Sequence, residues 1–262
     1  MGFSHTGESR HLEVSTTQEI VGQKLSSADL LLNVRNRVVE CRRCSRLVEY
    51  REEIAQKKRK EFLDWDYWGR PVPGFGDPNA SLLIVGLAPA AHGGNRTGRV
   101  FTGDRSGDFL YNALFKTGFA NQPLSQNRND GLTLNGVYVT AAVKCAPPDN
   151  KPTPDETQNC SEYLATEIDS LTQLKAILCL GQFAFNAVIK TIRNKYGVER
   201  PLAHFAHGRI IRLGEKIPVI ICSYHPSPRN TQTGKLTEKM FLSVLRKIRE
   251  PRTGRSRRVP DS

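Results

Sequence analysis

The 262-residue chain has no apolar run long enough to cross a membrane, and Met1 to Asp29 holds no apolar core behind a basic start. Neither a transmembrane helix nor a secretory leader is expected, so the protein reads as cytoplasmic, with no membrane partner. No internal repeat is evident, and no GxxxxG spacing is followed by a nearby lysine, which counts against a P-loop phosphate enzyme. Acidic residues are the minority: 26 Asp and Glu against 38 Lys and Arg leave a formal charge of +12 and a pI near 9.6. Such an excess suits a polyanion, nucleic acid or an anionic surface. Cysteine is sparse as well, and in a reducing compartment six cysteines read as thiols or metal ligands rather than disulfides.

What is present centres on Ser81 to Leu110. An apolar run, Leu82 to Val85, opens into a loop rich in glycine (Gly86, Gly93, Gly94, Gly98, Gly103, Gly107) before a helical pattern starts near Asp108. Ordinary βα turns take roughly two to six residues, and this one takes about twenty. Glycine lets a backbone approach a ligand closely, and the amides at the helix start favour a negative group.

Three more strands are expected: Val137 to Val143, Ala176 to Leu180, and Ile217 to Cys222, the last paired in a hairpin with Gly208 to Leu213. Helical patterns begin at Ala28, at Thr153-Pro154-Asp155-Glu156, at Gln182 and at Thr237. The fold class is therefore α/β, a three-layer α/β/α domain on a four-stranded, mainly parallel central sheet. It spans residues 28–250, behind a flexible leader over residues 1–27 and before a basic disordered tail over residues 251–262. Ligands in such sheets bind at the carboxyl ends of the strands. The glycine loop, the Cys145 to Asn150 loop and the Ser223 to Asn230 loop all follow strands, so one shared site is expected.

Cys41 and Cys44 form a CxxC pair, and Cys145 and Cys160 flank a strand end and a capped helix. Two sulfurs on each side can close a four-thiolate site for zinc or an iron-sulfur cluster, and spacing does not choose between them. Cys179 and Cys222 lie in apolar strands and read as core. The basic run Arg51 to Lys60 reads equally as a solvated helix face; Trp65, Tyr67 and Trp68 read as a small core ahead of a base-stacking platform.

Together, GLAPAAHGGNRTGRVFTGDRSG (Gly86 to Gly107), VKCAPPDN (Val143 to Asn150), YHPSPRN (Tyr224 to Asn230) and the four cysteines resemble the family 5, or type b, uracil-DNA glycosylases of bacteria and archaea. The similarity runs from about Cys41 to Arg249. It implies a uracil-glycosylase fold and a monomeric, nucleoid-associated repair enzyme acting on DNA that contains deaminated bases, preferably double-stranded. Those bases are uracil and also hypoxanthine and xanthine. It further implies a [4Fe-4S] cluster on Cys41, Cys44, Cys145 and Cys160; the cluster, rather than zinc, rests on the resemblance. Two positions depart from related branches. Leu87 and its neighbours are apolar where others carry an acidic or amide residue, and Ala141 stands where another branch has Asn.

A glycosylase must turn its base out of the stack into a pocket. Phe101 is the expected stacking face, with Gly86 and Ala88 lining the base site. His225 is the expected donor to the departing base, and Asp104 the group that positions water or steadies the cationic sugar. Asn150 has the donor and acceptor to read a pyrimidine edge. Ser227, Pro228, Arg229 and Asn230 are expected to enter the minor groove and hold phosphates. Lys144, beside an expected cluster ligand, is poorly placed for lyase chemistry. The competing reading is a non-catalytic nucleic-acid module built on a metal centre.

Overall fold

The computed structural model describes residues 25–199 and 204–249. Along the chain, α1 (Ser27–Val39) and α2 (Ser45–Lys57) precede β1 (Phe75–Gly76) and β2 (Leu82–Gly86). Then come α3 (Gly94–Thr97), α4 (Arg105–Lys116), β3 (Val137–Ala141) and α5 (Pro154–Ser170). The chain continues with β4 (Ala176–Leu180), α6 (Gln182–Tyr196), β5 (Ile210–Ile211), β6 (Val219–Ser223), α7 (Pro228–Gln232) and α8 (Glu238–Arg249).

The sheet order is β1-β3-β2-β4-β6-β5, with the four inner strands parallel and both edge strands antiparallel. The expected four-stranded sheet is thus widened to six by two edge strands of two residues each. β5 is the expected hairpin arm. β1 escaped the pattern because two residues set among prolines and glycines carry no periodicity.

Alternation along each strand builds two cores. Leu82 and Ile84 of β2 face one side with Val137, Val139, Leu178 and Ile221, covered by Leu110 and Leu114 of α4 and Phe241 and Leu245 of α8. Leu83 and Val85 face the other with Tyr138, Ile177, Cys179 and Cys222, covered by Leu31 of α1, Leu164 of α5 and Val188 of α6. This is the three-layer arrangement. Each fully buried Leu, Ile or Val on the sheet contributes roughly 1.5–3 kcal/mol relative to exposure. The four inner strands end level with one another at Gly86, Ala141, Leu180 and Ser223, so the loops that follow them emerge on one rim.

Helix starts are set by side-chain caps. Ser26 and Asp29 form a capping box on α1, and Thr153 and Glu156 form another on α5, with Pro154 in the first turn. Ser26 and Ser27 therefore belong to the first helix. Residues 1–24 of the expected leader lie outside the described residues, as does the expected tail over 251–262. The basic run does not form a uniform solvated face: Arg51 is buried, because its guanidinium turns inward to the cysteines.

Candidate active site

The three loops line one cleft of about 1400 Å³ at the carboxyl rim. That exceeds the roughly 300–1,000 Å³ of small-molecule pockets and suits a segment of polymer. Phe101, Asp104, Asn150, His225, Ala88, Ser227 and Pro228 all line it. Four non-glycine residues among those described have left-handed φ, and three of them, Phe101, Asp149 and Asn150, are on this cleft. Such conformations cost about 1–3 kcal/mol each and persist where surrounding contacts hold them.

Phe101 is seated by Gly86. A Cβ at Gly86 would stand 2.6 Å from the Phe101 ring, so glycine at the end of β2 is what lets the ring lie over the strand. Gly86 itself lies beneath the ring rather than on the cleft wall. Phe101 also meets the His225 ring, with centroids 5.8 Å apart and planes inclined by 31°. Burial lowers the His225 pKa to about 4, so the imidazole is neutral at pH 7. Its ring nitrogens have no protein hydrogen-bond partner among the described residues. Asn230 holds the residue from behind, donating from Nδ2 to the His225 carbonyl at 2.9 Å.

Asp104 sits at the N-terminus of α4. Its Oδ1 accepts from the Gly107 amide at 3.0 Å, capping the helix, while a Cβ on Gly93 would lie 2.2 Å from Oδ2. The glycine loop therefore presses its bare backbone against the carboxylate. Burial raises the Asp104 pKa; the Gly107 and Ser106 amides and the Arg96 charge oppose that rise, and Asp108 adds to it.

The other expected DNA-binding residues divide. Ser227 is the N-cap of α7, and Ser227 and Pro228 face the cleft. Arg229 is exposed on α7 and does not line it. Asn230 is turned inward to the His225 carbonyl, so its side chain is engaged in placing that loop. Asn150 is exposed, in a turn set by two successive left-handed residues.

Cys145 and Cys160 are buried with Leu47 and Val143, and Cys44 and Ala88 pack against this patch; Cys41 packs on the next one, against Val34, Val38 and Tyr163. Arg51 donates from Nη1 to the Cys145 sulfur at 3.0 Å and to the Cys41 carbonyl at 3.3 Å, and its buried Nε has no partner. A buried cation facing a group of sulfurs fits an anionic polythiolate centre. Among the described residues no three metal-binding side chains converge closely enough for a single ion. Cys179 and Cys222 are fully buried and pair in register between β4 and β6, as core.

A family model described as the uracil DNA glycosylase superfamily matches residues 73–249. A type-5 uracil-DNA glycosylase of Pyrobaculum aerophilum is 47% identical over 213 residues, covering 81% of this chain and 89% of that protein. One of Thermus thermophilus is 48% identical over 207 residues, covering 78% and 90%. The chain belongs to the uracil-DNA glycosylase superfamily. Its likeness is to the type-5 branch: a type-4 enzyme of Archaeoglobus fulgidus is 31% identical over 160 residues, 60% of this chain and 70% of that protein.

For a superfamily member, this cleft has a wall that the motifs did not reveal. Phe62 and Trp65 line it from the segment after α2, and Gln126 and Asn127 from the loop before β3. His92 also lines it, its Nδ1 hydrogen-bonded to the Tyr67 hydroxyl at 3.0 Å. Burial, with help from Arg59 and Arg96, lowers the His92 pKa. Of the three clustered aromatics, Tyr67 is buried and Trp68 packs on the core, as expected, whereas Trp65 faces the cleft. His92 stands inside the glycine motif and so carried a signal. The 121–130 loop carried none, since its order comes from Asp130, whose carboxylate accepts from the Gln126, Asn127 and Leu132 amides and from Arg99.

Proposed function

We propose that this chain is a monofunctional uracil-DNA glycosylase that extrudes a deaminated base from DNA into the rim cleft and hydrolyses its N-glycosidic bond. The observation that carries the reading is the convergence of Phe101, Asp104 and His225 on one polymer-sized cleft. The names of the type-5 relatives point the same way.

Each role follows from local chemistry. Phe101 offers a ring face for the extruded base, the sequence-tolerant mode of holding any base. A neutral His225 can donate to a base oxygen as negative charge grows there, and a donor fixed in a dry site is worth most in the transition state. Asp104, with one oxygen held by the helix cap, is poised to orient water or to offset the positive sugar. Asn150 supplies an exposed amide for the base edge, and Ser227 and Pro228 meet the strand. Leu87 and Ala141 offer no polar group to the base. Base selection then leans less on a single amide, which suits a range that includes hypoxanthine and xanthine.

Lyase chemistry is disfavoured by the placement of Lys144. Its ammonium is buried, donating to Thr140 Oγ1 at 2.6 Å and to Glu167 Oε2 at 2.7 Å. The reaction then ends at an abasic site.

Cys41, Cys44, Cys145 and Cys160 are proposed to hold a [4Fe-4S] cluster, which when bound supplies a rigid anionic crosslink. The choice of a cluster over zinc rests on the family resemblance, and Arg51 supplies the compensating cation. The centre would fasten α2 and α5 to the rim beside Ala88.

The test is a duplex carrying one uracil, incubated with the protein and then treated with alkali. Strand cleavage by wild type that is lost in His225→Ala supports the reading; binding without cleavage overturns it in favour of a non-catalytic module. Parallel duplexes with hypoxanthine or xanthine, and single strands, test the range. Iron analysis and a broad visible absorbance that bleaches on reduction test the cluster, and zinc in its place overturns it.

A further inference from the structure

Arg96 has no role in the chemistry just described, yet its surroundings are unusual for an arginine. It is 4% exposed. Its guanidinium carbon lies 3.8 Å from the Phe62 ring centroid and 4.0 Å from that of Trp65. Its Nε donates to the His92 carbonyl at 2.7 Å and its Nη2 to the Gly103 carbonyl at 2.9 Å. One planar group thus joins three segments that each line the cleft: the aromatic wall, the His92 loop and the turn that ends in Asp104.

We propose that Arg96 is a positioning residue for glycosidic cleavage, whose guanidinium fork fixes the Asp104 turn against the His92 loop. The inference rests on the glycosylase reading above. Gly103 shows how closely the fork fits. It has φ +78°, and a Cβ there would stand 2.5 Å from Nη2, so the carbonyl is presented by the one residue that leaves room for the guanidinium. Gly103 is the residue directly before Asp104, so a shift of its carbonyl moves the carboxylate that caps α4. A lysine could keep the charge over the rings but has no rigid fork to span two carbonyls. Arg96 itself lines the cleft, but at 4% exposure, with Nε and Nη2 committed to carbonyls, it presents little of its guanidinium to a phosphate. Its charge also draws the Asp104 carboxyl down against the effect of burial, which keeps more of it ionised.

The test is single-turnover cleavage of a uracil duplex at saturating enzyme by wild type, Arg96→Ala and Arg96→Lys, with DNA affinity and its salt dependence measured alongside. Displacing a catalytic group by about 1 Å costs about a hundredfold in rate, and Arg96→Ala is expected to lose about that much, with duplex affinity and salt slope unchanged. Arg96→Lys, which retains the buried charge and the ring contacts, is expected to stay folded by circular dichroism and to keep most of the rate defect. Added guanidinium, against a sodium chloride control of equal ionic strength, is expected to restore cleavage in Arg96→Ala by occupying the vacated slot, but not in Asp104→Ala. Wild-type rate in Arg96→Lys overturns the fork. Loss of affinity in proportion to rate, or a reduced salt slope, makes Arg96 a DNA contact and overturns the positioning role. Should Arg96→Ala not fold, Arg96→Lys decides alone. If wild type itself cleaves nothing, the glycosylase reading fails first, a result distinct from a normal wild type beside an unimpaired variant.

Discussion

Asp104 serves two masters in one side chain, the helix that it caps and the cleft that it faces. Asn caps a helix as well as Asp does, so Asp104→Asn keeps the Gly107 bond while removing a buried charge. The expected outcome is a protein with a melting temperature higher by about 2–4 °C, the shift that about 1 kcal/mol gives a domain of this size, and a cleavage rate lower by about 10²–10⁴-fold. Calorimetry and single-turnover kinetics check both halves. A variant that is inactive and less stable would show that the carboxylate is held by contacts other than the cap. His225 gives a second expectation at this scale. Its folded pKa of about 4 lies below the usual 6.5, so the unfolded chain takes up the proton first as the pH falls. Stability from this residue is therefore present above pH 6.5 and drains away between 6.5 and 4. Urea unfolding at pH 7 and pH 5 should show a larger loss in wild type than in His225→Gln, and the pH-rate profile should lack a histidine limb near 6.5. Phe101, Asp104 and His225 were legible because each follows a strand end, where an aromatic ring, a carboxylate and an imidazole set among glycines and prolines have little core to fill. Arg96 was not, since its meaning lies in Phe62 and Trp65, some thirty residues earlier in the chain and brought to it only by the fold.

Among the elements, β3 and α5 are joined by a buried polar triad. Lys144 and Glu167 are each 1% exposed, and Thr140 bridges them, accepting from Lys144 and donating to Glu167 at 2.9 Å. Removing one member leaves a buried charge alone, which typically costs about 3–5 kcal/mol. Lys144→Met should lower the unfolding free energy from urea titration by that amount, and Lys144→Met with Glu167→Gln should recover much of it, since no net charge is then stranded. Additive losses in the double variant would mean that the two residues do not interact as an ion pair. The triad binds the strand that leads to Cys145 to the helix that carries Cys160. Strands of four or five apolar residues and the Thr153 capping box announced themselves in the sequence, because burial on both faces and capping chemistry are local. β1 did not, and neither did the inward turn of Arg51: a basic residue on a helix reads as solvated until the partner that neutralises it is known, and that partner lies 94 residues away.

Taken whole, the molecule keeps its chemistry at one end. Convergence of the three loops was legible from strand order alone, since parallel strands that end level deliver their loops to the same side. The size of the cleft was not, because much of its wall comes from segments without motifs. The opposite end of the sheet is where the β5–β6 connection turns, and Gly214, Glu215 and Lys216 there are exposed. A fluorophore, affinity handle or short peptide spliced in at 214–216 would point away from the cleft. Such a graft should leave the single-turnover rate on uracil DNA within about twofold of the parent, as loop-tip insertions usually do, and would allow the protein to be anchored to a surface with its working end free.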